Sequence, residues 1–110
     1  METGEHCQLL KIYVSEDSRF KGHSLYSAVV FQLKALGIAG VTVTRGIAGY
    51  GKGKALHTAR ILELSSSLPI VIEAVDTASQ IASALPVIKN MVREGLILVA
   101  DATVIQYGKD

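Results

Sequence analysis

Several residue types are scarce in this chain of 110 residues, and its composition excludes some classes of protein. It has no Trp, one Cys and two Pro, and only 19% of its residues are charged. A single Cys excludes an internal disulfide, which is typical of a reducing compartment. No apolar run approaches the roughly 20 residues that a membrane-spanning helix needs. At 49% hydrophobic residues, the chain is also too apolar for intrinsic disorder.

The N-terminal residues do not show a basic region followed by an apolar one, so we expect no signal peptide. We therefore expect a cytoplasmic protein without direct membrane insertion. The length is that of one domain, which we assign to residues 1–110.

Acidic residues are absent from residues 18–62, although the formal net charge of the whole chain is only +1. The segment is formally +7, whereas the remaining residues hold four bases and ten acids and are formally −6. This separation of charge favours an anionic ligand or partner for the basic segment, the alternative being that its bases are simply solvated. The seven bases are Arg19, Lys21, Lys34, Arg45, Lys52, Lys54 and Arg60.

Hydrophobic periodicity predicts two β-α-β units joined by a glycine-rich loop. Strands are predicted over residues 9–14, 40–45 and 70–75, and the almost entirely apolar third strand should be central in its sheet. Helices are predicted over residues 25–36, capped by Ser24, and from Asp76 or Thr77 to about Glu94. Pro86 predicts a kink or a restart in the second helix. The last strand covers residues 96–99 and 103–107 with a break near Asp101, and residues 58–64 form a short strand or a helical turn.

Two such units most economically give a ferredoxin-like α+β sandwich, in which an antiparallel sheet carries both helices on one face. The other face of the sheet then has no cover. Because the chain holds so little charge, we expect that face to pack against another subunit.

The glycine-rich loop, Gly-Ile-Ala-Gly-Tyr-Gly-Lys-Gly-Lys at residues 46–54, is the main candidate site. It nearly matches a phosphate loop, but Gly53 stands where Ser or Thr would hold magnesium, and its glycine spacing does not fit a dinucleotide fingerprint. The loop can still bind an anion, because glycines let backbone N–H groups approach it. Positive charge nearby is supplied by Arg45, Lys52, Lys54 and Arg60. The alternative is a long hairpin loop that needs glycine for its turns.

Other chemistry has little support in the sequence. No catalytic constellation is recognisable, so we predict no catalytic residues. His6 and Cys7 are adjacent but too few to define a metal site, and His23 and His57 are isolated. The 70–75 strand has no aromatic residue for base stacking, so no nucleic-acid partner is predicted.

A family resemblance is carried by Gly-Ile-Ala-Gly-Val-Thr-Val-Thr at residues 37–44 and Gly-Tyr-Gly at residues 49–51. These segments resemble the nitrogen-regulatory PII proteins. The chain is still more similar to a sister group of small PII-like proteins, through Leu-Lys-Ile-Tyr at 10–13, Arg-Gly-Ile-Ala at 45–48, His-Thr-Ala-Arg at 57–60 and Leu-Pro-Ile-Val-Ile-Glu at 68–73. The resemblance covers about residues 9–107.

The resemblance implies a homotrimer of ferredoxin-like subunits with their sheets facing inward, and it implies regulation rather than catalysis. An effector, usually an adenine nucleotide, would bind between subunits and reshape a loop that contacts a regulated transporter or enzyme. With Arg45 from the basic segment, the expected ligand-binding residues are Thr42, Arg45, Gly49, Tyr50, Gly51 and Lys52.

The chain departs from PII where the phosphates of ATP would lie. No Gly-, Asp- and Lys-rich second loop occurs between Arg93 and Leu96, and Gln106 and Gly108 stand where PII has arginines. The expected effector is therefore a small anion, with AMP preferred over ATP, and no cofactor is predicted. Two alternatives are a metal-handling trimer that uses His6, Cys7, His23 and His57, and a small ferredoxin-like enzyme.

Overall fold

The computed structural model describes residues 1, 6–49, 57–58 and 68–108. Within these ranges the chain forms two helices and a series of strands. In chain order the elements are β1 (His6–Ser15), β2 (Arg19–Phe20), β3 (His23–Ser24), α1 (Leu25–Ala35), β4 (Val41–Arg45), β5 (Ala48–Gly49), β6 (His57–Thr58), β7 (Pro69–Thr77), α2 (Ala78–Met91) and β8 (Leu96–Thr103).

The main sheet has the strand order β4-β7-β1-β8, and every neighbouring pair in it is antiparallel. This is the strand order of a ferredoxin-like sandwich, and the predicted fold class is confirmed. The strand predicted over residues 70–75 is central, as expected, because β7 lies between β4 and β1. Both β1 and β4 are antiparallel to β7, so they run in the same direction and end at the same edge of the sheet.

The core lies between the helices and one face of the sheet. Leu10 and Ile12 of β1 alternate with less buried neighbours, and both pack against buried residues of the two helices, such as Val29 and Ile81. Because successive strand residues point to opposite faces, this alternation places both helices on the same side of the sheet.

The helix termini differ from the predictions in three details. Thr77 caps α2, because its Oγ1 accepts a hydrogen bond from the Gln80 N–H at 3.2 Å, whereas Ser24 precedes α1 without such a bond. The second helix ends at Met91 rather than at about Glu94. It also continues through Pro86 without a restart. Proline has no N–H to donate to the Ala82 carbonyl, but both residues are exposed, so water can bind that carbonyl instead.

The predicted break near Asp101 was wrong, and so was the strand over residues 103–107. β8 pairs with β1 without interruption from Leu96 to Thr103, and residues 104–107 are not part of the strand. Asp101 is tolerated because β8 is an edge strand, where the carboxylate stays exposed and lies 3.4 Å from His6 Nε2.

Two short hairpins stand outside the main sheet. β2 and β3 pair in the segment between β1 and α1, which the sequence predicted as an irregular loop. β5 and β6 pair across the glycine-rich loop. The strand or helical turn predicted over residues 58–64 lies, apart from Thr58, outside the described residues. In the part of the chain that the structure describes, neither helix combines the length and apolarity needed to cross a membrane.

Candidate functional site

The sheet face opposite the helices carries both apolar and charged side chains. Lys11 and Glu73 sit directly opposite each other on β1 and β7, and the Lys11 ammonium lies 5.7 Å from the centre of the Tyr13 ring. Apolar residues surround this pair. The face, called the open face below, comprises Leu9, Lys11, Tyr13, Val71, Glu73, Val75, Leu96 and Leu98, with Thr42 and Thr44 at its β4 edge.

One cavity of about 700 Å³ lies at the end of the open face where β1 and β4 begin. Its volume falls within the range of roughly 300–1,000 Å³ typical of small-molecule sites. One wall is formed by the open face, and the other by the residues that follow β8. The lining residues are Met1, Leu9, Gly40, Thr42, Glu73, Ala74, Val75, Ala102, Thr103, Val104, Ile105, Gln106 and Tyr107.

Thr42 is the predicted site residue that lies in this cavity. It is exposed on β4 and pairs with Glu73 of β7, so a hydroxyl and a carboxylate stand side by side on an otherwise largely apolar wall. This combination can accept and donate hydrogen bonds to a ligand whose remaining surface is apolar or aromatic.

The backbone leading into Thr42 is held by a buried carboxylate. Asp76 is 5% exposed and accepts hydrogen bonds from the N–H groups of Ala39 at 2.8 Å and Thr77 at 2.7 Å. The Gln80 side chain adds a bond to the carbonyl of Gly37 at 3.3 Å. These bonds tie the turn before β4 to the start of α2 and thereby fix one rim of the cavity.

Arg45 does not lie with Thr42. The two residues are three apart on one strand and therefore point to opposite faces of the sheet. The Arg45 guanidinium binds both carboxylate oxygens of Glu16, and this hydrogen bonding raises the pKa of Arg45 above its ordinary value. Arg45 thus links the start of the glycine-rich loop to the segment after β1.

Glycines at the start of the loop are explained by the close approach of Pro69. A Cβ at Gly46 would lie 2.6 Å from Pro69 Cγ, and one at Gly49 would lie 3.2 Å from the same atom. The Gly46 N–H also donates to the Pro69 carbonyl at 2.7 Å. Both glycines therefore serve packing, whatever else the loop does. Three further predicted site residues, Tyr50, Gly51 and Lys52, lie outside the described residues.

Several cavity residues were not predicted as site residues from the sequence. Glu73 was visible as the single polar residue in an apolar strand, which is a signal that could have identified it. Gln106 and Tyr107 could not be found in this way, because they were assigned to a continuing strand.

Three of the four residues proposed for a metal site do not come together, and the side chain of the fourth, His57, lies outside the described part of the structure. His6 and Cys7 are consecutive on β1 and point to opposite faces, and His23 lies in the separate β2–β3 hairpin. Among the residues described, no group of three His, Cys, Asp or Glu side chains could hold a metal ion.

Comparison with known proteins places the chain in a family. The DUF190 family model, described as "Uncharacterized ACR", matches residues 7–104. A UPF0166 protein of Aquifex aeolicus (strain VF5) is 41% identical over 98 residues, which cover 89% of this chain and 92% of that protein. The chain belongs to the DUF190 (UPF0166) family.

Solved PII-like proteins share the fold. CPII from Thiomonas intermedia K12, solved with ADP, AMP and bicarbonate, matches with a TM-score of 0.69 at 16% identity, over 92% of this chain and 90% of CPII. A PII-like signaling protein of Thermus thermophilus matches with a TM-score of 0.67 at 17% identity, over 92% and 91% of the two chains. The expected likeness to PII-like proteins is thereby confirmed at the level of the fold.

Proposed function

We propose that this protein is a cytoplasmic, homotrimeric PII-like regulator that binds an adenine nucleotide, preferably AMP, and signals through its glycine-rich loop to a transporter or enzyme. The observation that carries the proposal is the cavity of about 700 Å³ around Thr42. The nucleotides bound to CPII, a protein of the same fold, support the same ligand class.

The chemistry of the cavity suits a nucleoside. Leu9 and Val75 offer apolar surface to a base, while Thr42 and Gln106 offer hydrogen-bonding groups. The Glu73 carboxylate is an acceptor for an exocyclic amino group or a ribose hydroxyl. Recognition of a base by a few polar groups on an apolar wall is the usual design of such sites.

Charge sets the direction in which the nucleotide would lie. The Glu73 carboxylate repels a phosphate, so the phosphate would point along the sheet toward the glycine-rich loop and its basic residues. Gly46 lies four residue steps after Thr42, which is about 13 Å at the usual strand rise. A single phosphate is favoured, because the arginines and second loop that hold further phosphates in PII are missing.

The open face supports the trimer. A mixed surface of Leu, Val, Tyr, Lys and Glu is costly to leave in water over a whole sheet, and a neighbouring subunit would cover it. Residues from that neighbour would then close the cavity, which makes ligand binding and assembly interdependent. Regulation by a loop needs no catalytic residues, and we assign none.

Isothermal titration calorimetry with AMP, ADP and ATP tests this function. We expect the tightest binding for AMP, and we expect Thr42→Val to weaken it by roughly fivefold to tenfold, because one hydrogen bond contributes about 1 kcal/mol. Ser83→Ala is the control, since Ser83 is exposed on α2, on the other side of the sheet, and does not line the cavity. Its AMP affinity should remain within about twofold of the wild-type value.

Absence of measurable heat with all three nucleotides would contradict the nucleotide assignment. Equal losses in Thr42→Val and Ser83→Ala would contradict the location of the site. Titrations with bicarbonate, alone and in the presence of AMP, separate a nucleotide site from a site for a small anion.

A further inference from the structure

A short basic hairpin projects between β1 and α1. It consists of β2, the turn residues Lys21 and Gly22, and β3, and it is called the basic hairpin below. Arg19, Lys21 and His23 are all exposed, and this part of the chain contains no acid. Nothing in the proposed nucleotide site uses these three side chains.

Packing and hydrogen bonds anchor the basic hairpin to the rest of the protein. Phe20 packs against the hydrophobic core, and the Leu25 N–H donates to the Ser18 carbonyl at 2.8 Å, which closes the base of the hairpin. At its tip, Arg19 Nη2 donates to the Gly22 carbonyl at 2.7 Å. The Lys21 ammonium lies 5.3 Å from the centre of the Phe20 ring. These contacts orient the Arg19 and Lys21 side chains at the tip of the hairpin.

The turn itself carries strain at Lys21. Lys21 and Gly22 have φ angles of +49° and +84°, and two successive positive φ values favour Asn-Gly or Gly-Gly. A lysine has a conformational cost at such a position, where an asparagine would not. Lys21 thus places a positive charge at a turn position where the backbone favours Asn or Gly.

The ion pairs between described residues do not involve the hairpin. They join His6 to Asp101 and Arg45 to Glu16. Glu16 of the second pair stands three residues before Arg19, and its partner Arg45 is the last residue of β4.

We propose that the basic hairpin is a docking surface for an acidic surface of a partner protein. Exposed charges of one sign on an anchored hairpin favour a partner surface of the opposite sign. Nucleic-acid binding usually neutralises about 6–10 phosphates, and anionic membranes are recognised by clusters of about 4–8 bases. Three basic side chains per subunit fit a small acidic protein patch better.

The inference rests on the proposed function only in assuming that a regulated partner exists, and its test needs no nucleotide. The probe is a fluorescein-labelled oligo-glutamate peptide, compared with an oligo-glutamine peptide of equal length by fluorescence anisotropy at low ionic strength. We expect the wild-type protein to bind oligo-glutamate selectively, and Arg19→Gln and Lys21→Asn each to weaken binding by at least about threefold. Lys34→Gln, which removes an exposed charge of the same sign from α1, should leave it within about twofold.

Lys21→Asn also separates an effect on peptide binding from an effect on protein stability. Because Asn suits the positive φ, this variant should keep or raise the thermal midpoint while it weakens peptide binding. Unchanged peptide affinity in both hairpin variants would overturn the proposal, and so would an equal loss in Lys34→Gln. The same assay is repeated with a single-stranded oligonucleotide and with phosphatidylserine vesicles. The assignment to a protein partner would be overturned if either bound more tightly than oligo-glutamate and its binding depended on the hairpin.

Discussion

Individual glycines in this chain are required where the backbone or a neighbour leaves no room for a side chain. Gly95 has a φ of +154°, and a Cβ there would lie 2.5 Å from the carbonyl oxygen of Tyr13. A backbone atom cannot move aside as a flexible side chain can. Gly46 is limited in the same way by the Pro69 ring. The loop glycines were expected to let the backbone approach an anion, whereas Pro69 already limits the space for a side chain at Gly46 and, less severely, at Gly49.

Gly95→Ala should therefore destabilise the protein by about 2–4 kcal/mol, because it adds strain at a positive φ and a clash with the main chain. The free energy of unfolding from urea denaturation measures this loss. Gly40→Ala is the control, since a Cβ at Gly40 meets nothing within 4 Å. Similar losses in the two variants would show that the close contact with Tyr13 is not the cause.

At the scale of elements, the two helices begin in different ways. The Thr77 side chain accepts a hydrogen bond from the third residue of α2, while Ser24 makes no such bond to α1. The chain entering α1 is instead held by the bond between Leu25 and Ser18. The residue types at the two positions are similar, so only the geometry distinguishes them.

Thr77→Ala should lower the free energy of unfolding by about 0.5–2 kcal/mol, the usual cost of losing an N-cap. Ser24→Ala is the matched variant and should cost less than about 0.5 kcal/mol, because no cap bond is lost. Thermal or urea denaturation of both variants provides the measurement. A larger loss in Ser24→Ala than in Thr77→Ala would refute this account of the helix starts.

The main elements were predictable because their hydrophobic periods are long and regular, as in the alternation of Leu10, Ile12 and Val14. The basic hairpin was missed because Lys-Gly is not a usual turn pair and its strands have two residues each. The break at Asp101 was wrong because periodicity does not reveal that a strand lies at an edge, where a carboxylate meets water.

The candidate site was only partly predictable for a similar reason. Thr42 was identified through a family motif, and it lines the cavity. Arg45 belongs to the same segment, but its contact with Glu16 joins residues 29 apart and has no local signature. The second wall of the cavity lies in residues 104–107. These residues leave the sheet because the pairing of β8 with β1 stops at Thr103, opposite His6, the first residue of β1.

At the scale of the whole molecule, assembly is the property on which the proposed function depends most. The open face and the cavity share Leu9, Glu73 and Val75, so a subunit that covers the face also borders the cavity. A neighbouring copy would remove apolar surface such as Leu98 from water, which is the main favourable term in association.

Native mass spectrometry should therefore find the wild-type protein at about three times its 11.7 kDa chain mass. Leu98→Glu should shift it toward monomer, because it places a charge on the open face. Phe31→Glu makes a comparable change on α1, at a side chain that is 74% exposed, and should leave the trimer intact. A monomeric wild-type protein would contradict both the trimer and a site shared between subunits.

The strand order has a consequence for how the chain tolerates change. All three ladders of the main sheet join segments that are distant in sequence, and even the nearest pairing, Arg45 with Ile70, spans 25 residues. Closing such a span costs entropy that grows only as the logarithm of its length, so doubling the segment adds only about 0.6 kcal/mol. Insertions and deletions in the glycine-rich loop therefore have a small thermodynamic cost, and its length is free to follow the shape of a partner.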